Sequence, residues 1–175
     1  MGYIHIYCGD GKGKTSAALG LAVRAAGRGK KVLIVRFLKN ENSGEVPALR
    51  KIPGITVTPC DREFGFVFRM NEEKRAEAAS YYRQMFEQAC REAEEGEYDI
   101  LILDEIMAAC NYEMVPREAI IALEVSLPTA KPAQVRIVPE VATVGNAWFR
   151  ASTTTCFLSD IWLLRSIYRL VITIA

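Results

Sequence analysis

The sequence predicts an α/β fold with a mostly parallel sheet. Three observations lead there. Two apolar runs, Val32-Leu33-Ile34-Val35 and Ile100-Leu101-Ile102-Leu103, are dense enough for strands buried on both faces. Segments of helical period stand between the strand-like runs, the alternation expected of a layered α/β domain. A glycine-rich turn joins the first strand-like segment to the first helical one. At 175 residues the chain is expected to be one domain, 1–175.

The elements follow in order. Tyr3-Ile4-His5-Ile6-Tyr7-Cys8 reads as a short strand, and residues 9–14 as a turn. A helix rich in Ala and Leu runs from Thr15 to Arg28 and is ended by Gly29. Lys31 to Phe37 is the second strand, and 38–46 a polar loop. A short helix near 45–51 leads to a strand at 55–58. Residues 60–70 form a loop that carries Phe64, Phe66 and Phe68. Asn71 is a good N-cap for a long helix to Glu95. Ala79, Tyr82, Phe86, Ala89 and Ala93, three and four apart, give that helix its apolar face. Tyr98 to Leu103 is the third clear strand and ends in Asp104-Glu105. A helix with Pro116 in its first turn reaches Leu127, and Gln134 to Val138 is a fourth strand. No element is assigned beyond Pro139.

Composition narrows the function classes. The 22 basic and 21 acidic side chains leave a net charge of +1. So even a balance does not fit a basic nucleic-acid binder or an acidic tail. Five cysteines without a CxxC pair fit reduced thiols and a cytoplasmic location. The start of the chain lacks the basic and apolar regions of a signal peptide. The most apolar stretch, Ile161 to Ala175, is short and holds Arg165 and Arg169, so no membrane association is expected. Charge is uneven: 35 of the first 123 residues are charged, but only 8 of the last 52.

Cys8-Gly9-Asp10-Gly11-Lys12-Gly13-Lys14-Thr15 has the strand-to-helix setting of a phosphate-binding loop. Glycines let backbone N–H groups converge on phosphate oxygens, and the helix start adds partial positive charge. Gly9, Asp10, Gly11, Lys12, Gly13, Lys14, Thr15 and Ser16 are the expected ATP contacts. Lys14 supplies a full charge, Lys12 a second, and the Thr15 hydroxyl a ligand for Mg²⁺. One departure is that Cys8 stands where the general pattern has Gly. A purely structural glycine turn is the alternative. The expected fold is accordingly the three-layer, RecA-like P-loop NTPase fold.

Asp104-Glu105, after a buried strand, resembles a Walker B element whose carboxylates hold Mg²⁺ directly or through water. A helix N-cap followed by a first-turn glutamate explains the same pair. Lys14, Thr15 and Glu105 are the residues expected to carry the chemistry, with Thr15, Asp104 and Glu105 around the metal.

Residues 6–22, Ile-Tyr-Cys-Gly-Asp-Gly-Lys-Gly-Lys-Thr-Ser-Ala-Ala-Leu-Gly-Leu-Ala, with Arg24-Ala25-Ala26-Gly27, resemble the ATP:corrinoid adenosyltransferases. Val32 to Lys39 is similar to that family's second strand, where Gln is usual at Arg36. Gly44-Glu45, Gly65-Phe66-Val67-Phe68 (Phe68 for a usual Trp) and Asp99 to Glu105 extend the likeness. The resemblance covers residues 3–127.

The resemblance implies that Co(I) of a reduced corrinoid attacks the 5′ carbon of ATP and triphosphate leaves. It implies ATP as co-substrate, Mg²⁺, a corrinoid substrate, an electron-donating flavoprotein and a homodimer. By position, Phe66 and Phe68 would lie over the lower corrin face and exclude an axial ligand. Without the resemblance, Phe64, Phe66 and Phe68 fit equally one face of a buried strand. Two other functions stay open: a P-loop ATPase or kinase cleaving the γ-phosphate, and a catalytically impaired ATP-binding protein. His5 and Cys8 are read as packing residues, and Glu92 to Glu97 as a solvated helix end.

After Val138 the family's Thr-Gly-Arg is absent, as is its later Ala-Asp pair, so activity is in question. Residues 140–175 therefore diverge from the family. Divergence and a change of reading frame between 124 and 140 are the two explanations. The aromatic residues Trp148, Phe149, Phe157, Trp162 and Tyr168 would favour association if exposed.

Overall fold

The computed structural model describes residues 3–8, 12–95, 97–126, 134–139 and 168–173. Its strands are β1 (Tyr3–Cys8), β2 (Val32–Arg36), β3 (Ile55–Val57), β4 (Ile100–Asp104), β5 (Gln134–Pro139) and β6 (Tyr168–Thr173). Its helices are α1 (Lys14–Ala26), α2 (Glu45–Leu49), α3 (Glu72–Glu94), α4 (Ile106–Asn111) and α5 (Arg117–Ser126). The α/β class expected from the sequence is found.

One sheet has the order β3-β2-β4-β6-β1-β5. The pairs β1–β5, β2–β3 and β2–β4 are parallel. β6 runs antiparallel between β4 and β1. The register sets the geometry of everything that follows. Ile100 and Tyr3 both face Thr173, and Leu103 and Ile6 both face Leu170. Asp104 also pairs with Arg36. The carboxyl ends of β1, β2 and β4 therefore finish level, at one edge of the sheet. In open α/β sheets this is where ligands bind.

All five residues of β2 and all five of β4 are buried. Two-sided burial is the reason both strands read as unbroken apolar runs. Leu33, Val35, Leu101 and Leu103 join α3, α4 and α5 in one core. Val32, Ile34, Ile100 and Ile102 join Ala18 and Ala22 of α1 and Val46 and Leu49 of α2 in the other. Each large aliphatic side chain so buried contributes about 1.5–3 kcal/mol.

Helix α3 starts where the sequence places it. The Asn71 side chain accepts a hydrogen bond from the Lys74 amide at 2.9 Å, and Glu72 and Glu73 favour the positive helix end. Its buried stripe is Ala78, Tyr82, Met85, Phe86, Ala89 and Ala93, with Ala79 at the margin. Cys60, Cys90 and Cys110 are free thiols. Among the described residues no helix is long and apolar enough to cross a membrane. Of the expectations for the last third, residues 140–167 with Trp148, Phe149, Phe157 and Trp162 lie outside the described residues.

Candidate nucleotide and cation site

Gly9, Asp10 and Gly11 of the phosphate loop lie outside the described residues. From Lys12 onward the loop enters α1. Gly13 is the N-cap, with φ at +101°. A Cβ built there would meet nothing within 4 Å. The glycine is needed for the backbone conformation, not for space. Its carbonyl accepts the Ala17 amide at 2.8 Å, closing the first helical turn. The first-turn N–H groups point out of this end.

Lys14 opens α1 and is only 7% exposed, Thr15 is half-buried, and Lys12 and Ser16 are exposed. Asp104, the last residue of β4, is 3% exposed. The Lys39 ammonium joins these two parts of the chain. Its Nζ donates to Asp104 Oδ2 at 2.5 Å and to Thr15 Oγ1 at 3.4 Å. Thr15 and Asp104, 89 positions apart in the sequence, thus share one cation.

The chain reaches this position by a tight turn. Phe37 still donates its amide to the Asp104 carbonyl at 2.9 Å. Leu38 then takes φ at +54°, an uncommon state for a branched side chain, and sends Lys39 back toward the strand ends. The following loop is tied down at its base. Glu41 accepts the Cys60 amide at 2.6 Å and pairs with Arg50 at 2.7 Å. Buried Arg36 donates to the Asn40 carbonyl at 2.9 Å and lies 3.5 Å from Glu41. The Cys60 amide, and after it Arg50, hold the Glu41 carboxyl below its usual range against the opposing effect of burial. Burial pushes the Cys60 thiol up.

Glu105 follows Asp104 with φ at +64° and is the N-cap of α4. A left-handed glutamate costs roughly 1–3 kcal/mol, and such states cluster at functional sites. The acidic pair is divided by this turn: Asp104 is buried in the sheet, and Glu105 is half-buried at the start of the next helix. The N-cap explanation does not hold as stated: Asp104 ends the strand, and Glu105 takes the N-cap position without a capping side-chain hydrogen bond.

The residues present fit a divalent cation. A hydroxyl and a carboxylate already hold an ammonium between them. Among the described residues no group of three His, Cys, Asp or Glu side chains converges on one point. Such a donor set suits Mg²⁺, which takes one or two protein ligands and completes its shell with phosphate and water.

The aromatic segment is built separately, between β3 and α3. Phe64 is 6% exposed and packs against the rings of Tyr81 and Tyr82, with centroids 5.5 and 5.8 Å away. Gly65, at φ +76°, then reverses the chain. Phe66 and Phe68 end up 65% and 74% exposed and stacked on each other, centroids 5.3 Å apart. Arg69 lies over both rings, at 5.7 and 5.5 Å. A short 3₁₀ turn, Val67–Arg69, fixes the pair. The three phenylalanines are therefore not one face of a buried strand.

Lys39 is the site residue that the sequence reading did not single out. Its signal was its position, three residues beyond the end of β2, whose last residue Arg36 pairs with Asp104.

Comparison with known proteins identifies the family. The family model for ATP:corrinoid adenosyltransferase BtuR/CobO/CobP matches residues 1–138. The corrinoid adenosyltransferase of Escherichia coli (strain K12) is 32% identical over 124 residues, covering 69% of this chain and 59% of the relative. The corrinoid adenosyltransferase CobA of Salmonella typhimurium is 29% identical over 121 residues, covering 69% and 60%. A corrinoid adenosyltransferase of Pseudomonas aeruginosa is 29% identical over 126 residues, covering 69% and 59%. The chain thus spans about three fifths of the length of these curated relatives. With the match running through the phosphate loop, the strand-end acidic pair and the aromatic segment, the chain belongs to the ATP:corrinoid adenosyltransferase family.

Proposed function

We propose that this protein transfers the 5′-deoxyadenosyl group of ATP to Co(I) of a reduced corrinoid. The family match over residues 1–138 carries this reading. In the reaction Co(I) donates its electron pair to C5′ of ATP. The C5′–O bond breaks, and triphosphate leaves with the electrons of that bond.

Each residue then has a task. Lys12, Lys14 and Ser16, with the loop backbone from Gly9 to Gly13, hold the triphosphate. Lys14 also offsets the negative charge that grows on it as the bond breaks. Thr15, Asp104 and Glu105 would hold Mg²⁺. Bound Mg²⁺ adds charge stabilisation to the leaving group. Alignment of C5′ with cobalt is an entropic task. Phe66 and Phe68 present an apolar face to the corrin ring. The exposure of that stacked pair supports a large flat ligand, since exposed phenyl surface is costly to leave in water.

The same reading makes the fold a single three-layer P-loop domain of RecA type. The level ends of β1 and β4 support it. A homodimer, an electron-donating flavoprotein partner and a cytoplasmic location belong to the reading through the family resemblance.

A P-loop ATPase or kinase would use the same phosphate loop but has no use for the phenyl pair. The test is optical. With ATP, Mg²⁺ and chemically reduced cobalamin, the Co(I) spectrum should give way to that of a Co–C bonded corrinoid. Persistence of the Co(I) spectrum with folded, ATP-bound protein would reject the proposal.

A further inference from the structure

We propose that Lys39 is a built-in placeholder cation: without nucleotide its ammonium occupies the position between Thr15 and Asp104 that the divalent cation takes when ATP arrives. The inference rests on the reading of Thr15 and Asp104 as the cation's ligands. It assigns a role to a residue outside the phosphate loop and outside the acidic pair.

Three observations converge. The Lys39 Nζ touches both proposed ligands, at 2.5 Å to Asp104 Oδ2 and 3.4 Å to Thr15 Oγ1. Asp104 is buried while Lys39 keeps about a fifth of its side-chain surface exposed, so the lysine has a way out and the aspartate does not. The turn that delivers Lys39 uses a left-handed Leu38, and the loop beyond it is anchored by Arg36, Glu41 and Arg50. Chance placement of a flexible surface lysine needs neither the turn nor the anchor.

The physical logic is direct. A buried carboxylate without a counter-charge is strongly unfavourable. An ammonium is a compact point charge and a fair substitute for a small metal ion. The proposed metal position is the point between Thr15 Oγ1 and Asp104 Oδ2 where the Lys39 Nζ sits, and two cations there would clash and repel strongly. A metal ion at that point therefore requires Lys39 to leave. The free divalent ion alone is a poor competitor, whereas ATP brings phosphate oxygens that complete the metal's shell and attract the released ammonium. The device ties metal binding to nucleotide binding.

The test uses the nucleotide-free full chain and Mn²⁺ as the probe, read by electron paramagnetic resonance. Lys39→Met should bind Mn²⁺ at least tenfold more tightly than wild type. Millimolar Mg²⁺ should raise the Tm of Lys39→Met by several degrees and leave that of wild type unchanged. Adding Asp104→Asn to Lys39→Met should abolish both responses. Equal Mn²⁺ affinity in wild type and Lys39→Met would overturn the proposal, as would a gain that survives Asp104→Asn. If Lys39→Met does not fold, reductive methylation of wild type followed by mass spectrometry decides. Lys39 should be protected without nucleotide and methylated several-fold faster with ATP and Mg²⁺; protection unchanged while ATP is shown by dialysis to be bound would overturn it. None of these readouts uses the corrinoid. Mn²⁺ gain without adenosyl transfer would sink the functional reading alone, and transfer without Mn²⁺ gain would sink the placeholder alone.

Discussion

The ammonium of Lys39 joins Thr15 and Asp104, contacting both. The first residue follows a glycine turn at the start of α1, and the second ends β4. β6 separates their strands, yet the register brings the strand ends level, so a helix start and a strand end meet over one edge of the sheet.

Thr15→Ala removes the hydroxyl from this meeting point. Turnover with ATP and Mg²⁺ should fall by at least about 100-fold, the loss typical of removing one preorganised group that stabilises transition-state charge. Lys14→Ala should do the same. Steady-state kinetics check both; turnover within about threefold of wild type would contradict the phosphate-site assignment.

Phe66→Ala with Phe68→Ala should leave stability within about 0.5 kcal/mol per site, because both rings are exposed. Corrinoid handling should suffer instead. The kcat/KM for the corrinoid should fall by about tenfold or more, in line with lost aromatic stacking. Unchanged corrinoid kinetics in a stable double variant would remove these residues from the site.

Gly65→Ala should cost about 1–2 kcal/mol, the penalty for a left-handed residue with a Cβ. No atom within 4 Å obstructs the new methyl, so the cost is one of backbone conformation. Urea denaturation measures it. The variant should also weaken corrinoid binding, since Gly65 turns the chain from buried Phe64 to exposed Phe66.

Glu41 makes the loop that carries Lys39 pH-sensitive. Its folded-state pKa lies below the ordinary glutamate value, first through the Cys60 amide and then through Arg50. A lowered carboxylate pKa contributes stability above the unfolded pKa of about 4.3, and loses it as pH falls through the folded value. Glu41→Gln should therefore destabilise by about 1 kcal/mol at pH 7, the worth of a charge-assisted hydrogen bond reduced by solvent screening at a side chain a third exposed. The gap between variant and wild type should narrow below about pH 4. Denaturant titrations at pH 7 and pH 3 check the sign.

Much of the fold was legible because burial writes itself plainly into parallel strands. β2 and β4 are buried on both faces and read as apolar runs. Asn71 named the start of α3 through its capping chemistry. The junction of β1 with α1 was legible because glycines precede Lys14 and Thr15 between a strand-like and a helical segment. Other features left weaker marks. α4 begins from a left-handed Glu105 rather than from a capping side chain, so no start signal precedes it. β6 holds Arg169 within an apolar tail whose period decides nothing. Phe64, Phe66 and Phe68 alternate as a strand would, but the positive φ of Gly65 breaks the phase, burying the first ring and exposing the other two. Lys39 was hidden for a similar reason. It enters the site through a left-handed Leu38, and leucine gives no warning of such a turn.

The most direct measurement is the fate of the phosphates. The protein is incubated with ATP, Mg²⁺ and reduced cobalamin, and the products are read by phosphorus NMR. Adenosyl transfer predicts inorganic triphosphate in equal amount to the Co–C bond formed, with no ADP. ADP and phosphate in place of triphosphate would contradict it and assign the site to γ-phosphate cleavage.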